Sequence, residues 1–124
     1  MFELQNRARE SRGVRPLCVH PTLQKVARSH SAEMIRKDRF FHGNVGKRLK
    51  RHGYRWSTYG QNIAYGSGRC GSPESVFKRW MKSRGHKRNI LKKGFREVGI
   101  GTATGTYKGH KGVTMYTADF GTRR

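Results

Sequence analysis

Acidic residues are scarce in this chain: seven Asp and Glu stand against 28 Lys and Arg among 124 residues, a formal charge of +21. Such an imbalance forces the folded state to tolerate self-repulsion, and it draws in any polyanion: nucleic acid, cell-wall phosphate, sulfated glycan or anionic lipid. Charge alone does not choose among them. Long apolar runs are missing too. No stretch approaches the ~18 residues needed to cross a bilayer, and the opening MFELQNRARE has no apolar core of a signal peptide. Leu, Ile, Val and Phe together number only 22, near the compositional edge of disorder. Eleven Phe and Tyr, two Trp and clear periodicity nevertheless point to one folded domain spanning 1–124.

Cysteine is nearly absent. Cys18 and Cys70 lie far apart and have neither CxxC nor zinc-finger spacing, so one structural disulfide and two free thiols are both open readings. The pair Cys18 and His20 sits on an extended segment where alternate residues face oppositely to their neighbours, and no thiol nucleophile is read from it. Gly99-Ile-Gly101-Thr-Ala-Thr-Gly105 lacks the Gly-Lys-Ser/Thr of a phosphate loop and runs into hairpin residues, so it reads as strand and turn. Ser83 and His86 have no nearby carboxylate to orient the imidazole, which speaks against a serine hydrolase.

Periodicity supplies the elements. A short helix is expected over Glu3 to Arg12, ending at Gly13. After Pro21, residues Leu23, Val26, Ala27, His30 and Met34 share one helix face. A short basic helix is expected at Lys47 to His52, and a strand at Thr58 to Tyr65. Ser72-Pro73-Glu74 opens a third main helix, running to about Ser83. Val98 and Ile100, then Val113, Met115 and Thr117, alternate around YKGHKG and predict a closing antiparallel hairpin. Without regular βαβ alternation the class is α+β.

Five segments then stand out in order: Phe40-Phe41-His42-Gly43, Tyr59-Gly60-Gln61-Asn62-Ile63-Ala64, Trp80 through Leu91 with Ser83-Arg84-Gly85-His86, Val98-Gly99-Ile100-Gly101, and Tyr116-Thr117-Ala118-Asp119-Phe120-Gly121. Together they resemble the CAP superfamily of cysteine-rich secretory, antigen 5 and pathogenesis-related 1 proteins, and within it the bacterial YkwD-like branch. The resemblance covers Leu4 to Gly121. It implies a three-layer α-β-α sandwich with a central antiparallel sheet, a secreted or envelope-associated protein whose leader lies outside these residues, and a cleft floored by two histidines and, in many members, two glutamates. The histidines correspond to His42 and His86. Gln61 stands where the first glutamate would be, and Ser83 falls near the second.

Two imidazoles without an anionic ligand imply weak binding of Zn²⁺ or another divalent ion, with Gln61 offering only a neutral oxygen. Efficient hydrolysis is not expected, because glutamine cannot exchange a proton near neutral pH and the remaining acids fall mostly at predicted helix ends. His30 reads as a core histidine, and His20, His52 and His110 as loop residues. The exceptional basic excess assigns polyanion binding to Lys47, Arg48, Lys50 and Arg51, to Lys78, Arg79, Lys82, Arg84, Lys87 and Arg88, and to Lys92 and Lys93, without sequence-specific DNA reading. The leading reading is a secreted binding module with that surface for cell-wall phosphate, glycan or non-specific nucleic acid, and a cleft for a metal or a small or lipidic ligand; a lipid is implied by the resemblance only. The runner-up is a metal-assisted peptidase or nuclease centred on His42 and His86, and a third reading is an intracellular nucleic-acid binder. In a chain that resembles a secreted family, the two cysteines imply a Cys18–Cys70 disulfide.

Overall fold

The computed structural model describes residues 1–124. Helix α1 (Phe2–Glu10) leads to a two-residue strand β1 (Cys18–Val19), helix α2 (Pro21–Lys37), helix α3 (Val45–Arg51) and the long strand β2 (Trp56–Ser67). A 3-10 turn (Gly68–Gly71) follows, then α4 (Pro73–Met81), α5 (Arg84–Leu91), β3 (Glu97–Tyr107) and β4 (His110–Arg123). The sheet order is β1-β3-β4-β2. β3 and β2 flank β4 in antiparallel register, and β1 adds a short parallel edge beside Glu97 and Val98.

Alternation along β4 explains the layers. Met115 packs with Met34 of α2, and Thr117 shares a 2.7 Å hydrogen bond with Ser31 of α2, so the odd-numbered residues face α2. Tyr116, Ala118 and Phe120 point the other way, into a core with Val76 and Trp80 of α4 and Ile90 of α5. The sheet is therefore covered on both faces, α2 and α3 on one and α1, α4 and α5 on the other, which is the α-β-α sandwich. Burial on both faces is why β4 is buried continuously from Met115 to Gly121.

Local signals fix the ends. His20 caps α2, its Nδ1 accepting from the Thr22 amide at 3.1 Å, with Pro21 in the first turn. Ser72 caps α4 by accepting from the Ser75 amide. Lys108 and Gly109 take positive φ values of 50° and 80° in the two-residue turn between β3 and β4, the conformation that matches strand twist. Gly99 and Gly101 serve packing: a side chain at either would overlap the backbone of α2 at Leu23–Gln24 or Ala27–Arg28.

Two expectations change. The helix predicted to stop near Ser83 is followed by a second one, α5, which carries His86; Gly85 is exposed in its first turn, and Ile90 anchors the helix by complete burial. The expected Cys18–Cys70 disulfide is absent, and both thiols are free and exposed. Cys18 lies beside Glu97 at the start of β3, whereas the Cys70 backbone packs on Gly66, whose partner Thr114 pairs with Thr104 near the other end of β3. Seven residues of strand, roughly 23 Å at ~3.3 Å each, separate those positions, and a disulfide spans at most ~7 Å between Cα atoms.

Candidate functional site

The edge strand β2 carries adjacent polar residues that reach to opposite faces. Gln61 and Asn62 are both buried, and each holds one histidine segment. On the α2 face, the Gln61 side-chain oxygen lies 2.7 Å from His42 Nδ1, and its amide nitrogen donates to Asp119 Oδ1 at 2.8 Å. On the other face, the Asn62 amide donates to the His86 carbonyl at 3.0 Å and its oxygen accepts from Asn89 Nδ2 at 2.8 Å. Asn89 also donates to the Gln61 carbonyl at 3.3 Å. Segments from the two helical layers are thus pinned to one strand.

With Asp119 ionised, turning the Gln61 amide over would set its oxygen against the carboxylate, so its NH₂ donates to Asp119 and its oxygen accepts; neutral His42 then carries its proton on Nδ1 and keeps a lone pair on Nε2. The Arg48 guanidinium donates to the His42 carbonyl at 2.9 Å and fixes the loop from below. His86 Nδ1 pairs with Ser83 Oγ at 2.9 Å, which likewise leaves Nε2 for the cleft. Burial and then the charge of His42 lower the pKa of His86, so it is neutral at pH 7 and able to bind a metal.

Asp119 belongs to the fifth of the sequence segments, but motif order alone gives it no role in the site. It is completely buried, and burial pushes its carboxyl up to about 7 against the opposing pull of the Gln61 hydrogen bond and the Arg48 charge. The acid missing at position 61 therefore stands one hydrogen bond farther back. Its signal was available: a lone carboxylate within a strand whose neighbours, Ala118 and Phe120, are buried apolar residues.

Beside His86 a cleft of about 380 Å³ is lined by Phe40, Ile63, Ala64, Tyr65, Trp80 and Ser83, among others. Phe40 and Tyr65 meet edge to face at 5.0 Å and remain 42% and 40% exposed, forming an apolar lip. Trp80 is buried against the sheet, its Nε1 donating to the Ile63 carbonyl at 3.2 Å. Because the lining holds no carboxylate, a reacting water there would have only imidazole as a base.

The donor set fits a metal in part. Each Nε2 is a good nitrogen donor; His86 lines the cleft and His42 stands beside it, near enough for its charge to act on His86, while Gln61 Oε1 and Ser83 Oγ are engaged with the rings themselves. No third His, Cys, Asp or Glu joins them, so water would complete the coordination and affinity would be modest. His30 is buried and bonds the Phe41 carbonyl through Nε2 at 2.7 Å, as expected of a core histidine. His20 is a helix cap, and His52 ends α3.

The basic residues divide into two kinds. Arg48 is half-buried under His42, and Arg79 donates to the carbonyls of Tyr65 and Cys70 at 3.1 and 2.6 Å, so both brace loops around the cleft. Lys47, Lys50 and Arg51 on α3, Lys78 and Lys82, Arg84, Lys87 and Arg88 on α5, and Lys92 and Lys93 are exposed.

Comparisons with known proteins identify the family and the fold. The family model described as CAP, cysteine-rich secretory protein family, matches residues 2–120. The uncharacterized protein YkwD of Bacillus subtilis is 39% identical over 106 residues, which cover 82% of this chain and 40% of that protein. An extracellular SCP-domain protein of Bacillus anthracis superposes with a TM-score of 0.81 at 27% identity, covering 99% of this chain and 39% of its own. An outer surface protein of Borrelia burgdorferi gives 0.84 at 17% identity, covering 99% and 90%. This chain thus spans about two fifths of the two Bacillus proteins.

Proposed function

Because the chain belongs to the CAP family of cysteine-rich secretory proteins, we propose that it acts outside the cell as a binding module. Its cleft takes a weakly held divalent metal or a small apolar ligand, and its basic surface holds an anionic polymer of the envelope. Extracellular and outer-surface neighbours of the same fold support the location.

The observation that carries this reading is the pair of imidazoles whose Nδ1 atoms are both occupied, leaving the Nε2 atoms of His42 and His86 for a ligand. A bound zinc would supply Lewis acidity there. The chain's own residues orient the rings: Asp119 sets Gln61, Gln61 sets the His42 proton, and Ser83 positions His86. Phe40, Tyr65 and Trp80 supply apolar walls for a small molecule lying against His86. Binding is favoured over turnover because no carboxylate lines the cleft and Asp119, the one linked to His42 through Gln61, is completely buried and out of reach of a cleft water.

Zinc calorimetry on the parent and on His42→Ala and His86→Ala, with peptide and nucleic-acid cleavage assays alongside, tests the reading. Micromolar or weaker binding that falls in both variants, without cleavage, is expected. Tight binding that ignores both substitutions, or robust histidine-dependent turnover, would overturn it.

A further inference from the structure

Arg9 is completely buried, yet no carboxylate pairs with it. Its guanidinium instead donates to four backbone carbonyls: Arg15 at 2.7 Å, Ile90 at 2.9 Å, Lys92 at 3.0 Å and Phe95 at 3.0 Å. Two loops distant in sequence, the one after α1 and the one between α5 and β3, are thereby riveted together by a charge that keeps its field.

Above this rivet lies a trough. One part, about 240 Å³, is lined by Gly13, Val14, Arg15, Lys93 and Arg96. Arg15 and Arg96 also line the adjoining part, about 440 Å³, which continues past Arg123 and Arg124. Its single acid, Glu97, is already bound to Arg123 at 2.8 Å and to the Tyr54 hydroxyl at 2.8 Å. The exposed side chains of Arg15, Lys93 and Arg96 make no hydrogen bond or ion pair within the chain, so their donors are free on loops whose backbone is fixed. Guanidinium forks at fixed positions suit phosphate oxygens. No aromatic ring lines either part, so there is no platform for stacking bases.

We propose that this trough is where the chain grips consecutive phosphodiester groups of a base-free polyol- or sugar-phosphate polymer. The assignment rests on the anionic-polymer reading above and places it at the β1 edge of the sheet, away from the two histidines, which are held at the opposite edge by Gln61 and Asn62 of β2. Arg15, Lys93 and Arg96 contact the phosphates; Arg9 holds their frame and adds positive potential beneath them.

The test is titration of short poly(glycerol phosphate), and of a single-stranded DNA of equal charge, into the parent, Arg15→Ser/Arg96→Ser and, as a control of equal charge loss, Lys25→Ser/Arg28→Ser at two exposed positions of α2, at physiological salt. The trough variant is expected to weaken poly(glycerol phosphate) binding about tenfold or more and the control less than about threefold. Arg15→Lys/Arg96→Lys, which keeps charge and loses the forks, should fall between parent and trough variant. Unchanged circular dichroism and melting temperature establish that the exposed substitutions leave the fold intact. Equal losses in trough and control variants would overturn the trough while leaving the polymer reading standing. No binding by the parent would overturn that reading itself, and tighter trough-dependent binding of the DNA would overturn the base-free assignment.

Discussion

Replacing Asp119 by asparagine probes the buried link behind His42. The asparagine side chain retains an oxygen that can accept from Gln61 Nε2 at the present 2.8 Å; its NH₂ takes the place of Oδ2, which has no partner in the protein. What changes is the ionisation. Burial raises the Asp119 carboxyl from its ordinary 3.8 to about 7 in the folded protein. Below pH 4 both folded and unfolded chains hold the proton. Between about 4 and 7 the unfolded chain releases it and the folded one keeps it, so stability contributed at this position falls as pH rises, then levels off above 7. About three pH units at ~1.4 kcal/mol each set the full effect at ~4 kcal/mol. Urea unfolding at pH 4, 6 and 8 measures it. Asp119→Asn should match the parent at pH 4 and exceed it by ~2–4 kcal/mol at pH 8, with the slope in urea unchanged. Parallel pH profiles for the two proteins, or a variant that is less stable at pH 8, would refute the reasoning.

Moving the negative charge forward in Gln61→Glu/Asp119→Asn puts a carboxylate directly on His42 Nδ1 and should raise zinc affinity about tenfold; calorimetry showing no gain would contradict the proposed orientation of the ring. Gln61→Glu alone sets two carboxylates at hydrogen-bond distance, so they must share a proton, and denaturation should show it losing stability relative to the parent above pH 7. Native protein prepared without reductant should present two thiols to Ellman's reagent, with a melting temperature that reductant leaves unchanged. Arg9→Met abandons four carbonyls and should cost ~3–5 kcal/mol in urea unfolding; a loss under ~1 kcal/mol would remove the rivet from the account.

The elements with a strong period were legible in the residues alone. The stripe Leu23 to Met34 predicted α2 because one helix face had to cover the sheet, and alternation around Lys108-Gly109 predicted the closing hairpin. Helix α5 was not legible: Gly85 reads as a breaker by propensity, and the helix is held by tertiary contacts, the burial of Ile90 and the bond from Asn62 to the His86 carbonyl. Strand β1, two residues long, leaves no periodic trace. Counting cysteines could not reveal that the two lie at opposite ends of β3. At the site, His42, Gln61, Ser83 and His86 were all nameable from motif order, and the structure brings them together as the pairs His42–Gln61 and Ser83–His86. Asp119 escaped because its role depends on cross-strand register with Gln61, which no local pattern encodes.

The most direct measurement is ¹⁵N NMR of the imidazole nitrogens during a zinc titration at pH 7. The account predicts that Nε2 of His42 and of His86 shift together, while His42 retains its proton on Nδ1. Shifts confined to His20, His52 or His110, or a His42 protonated on Nε2 before zinc is added, would contradict it.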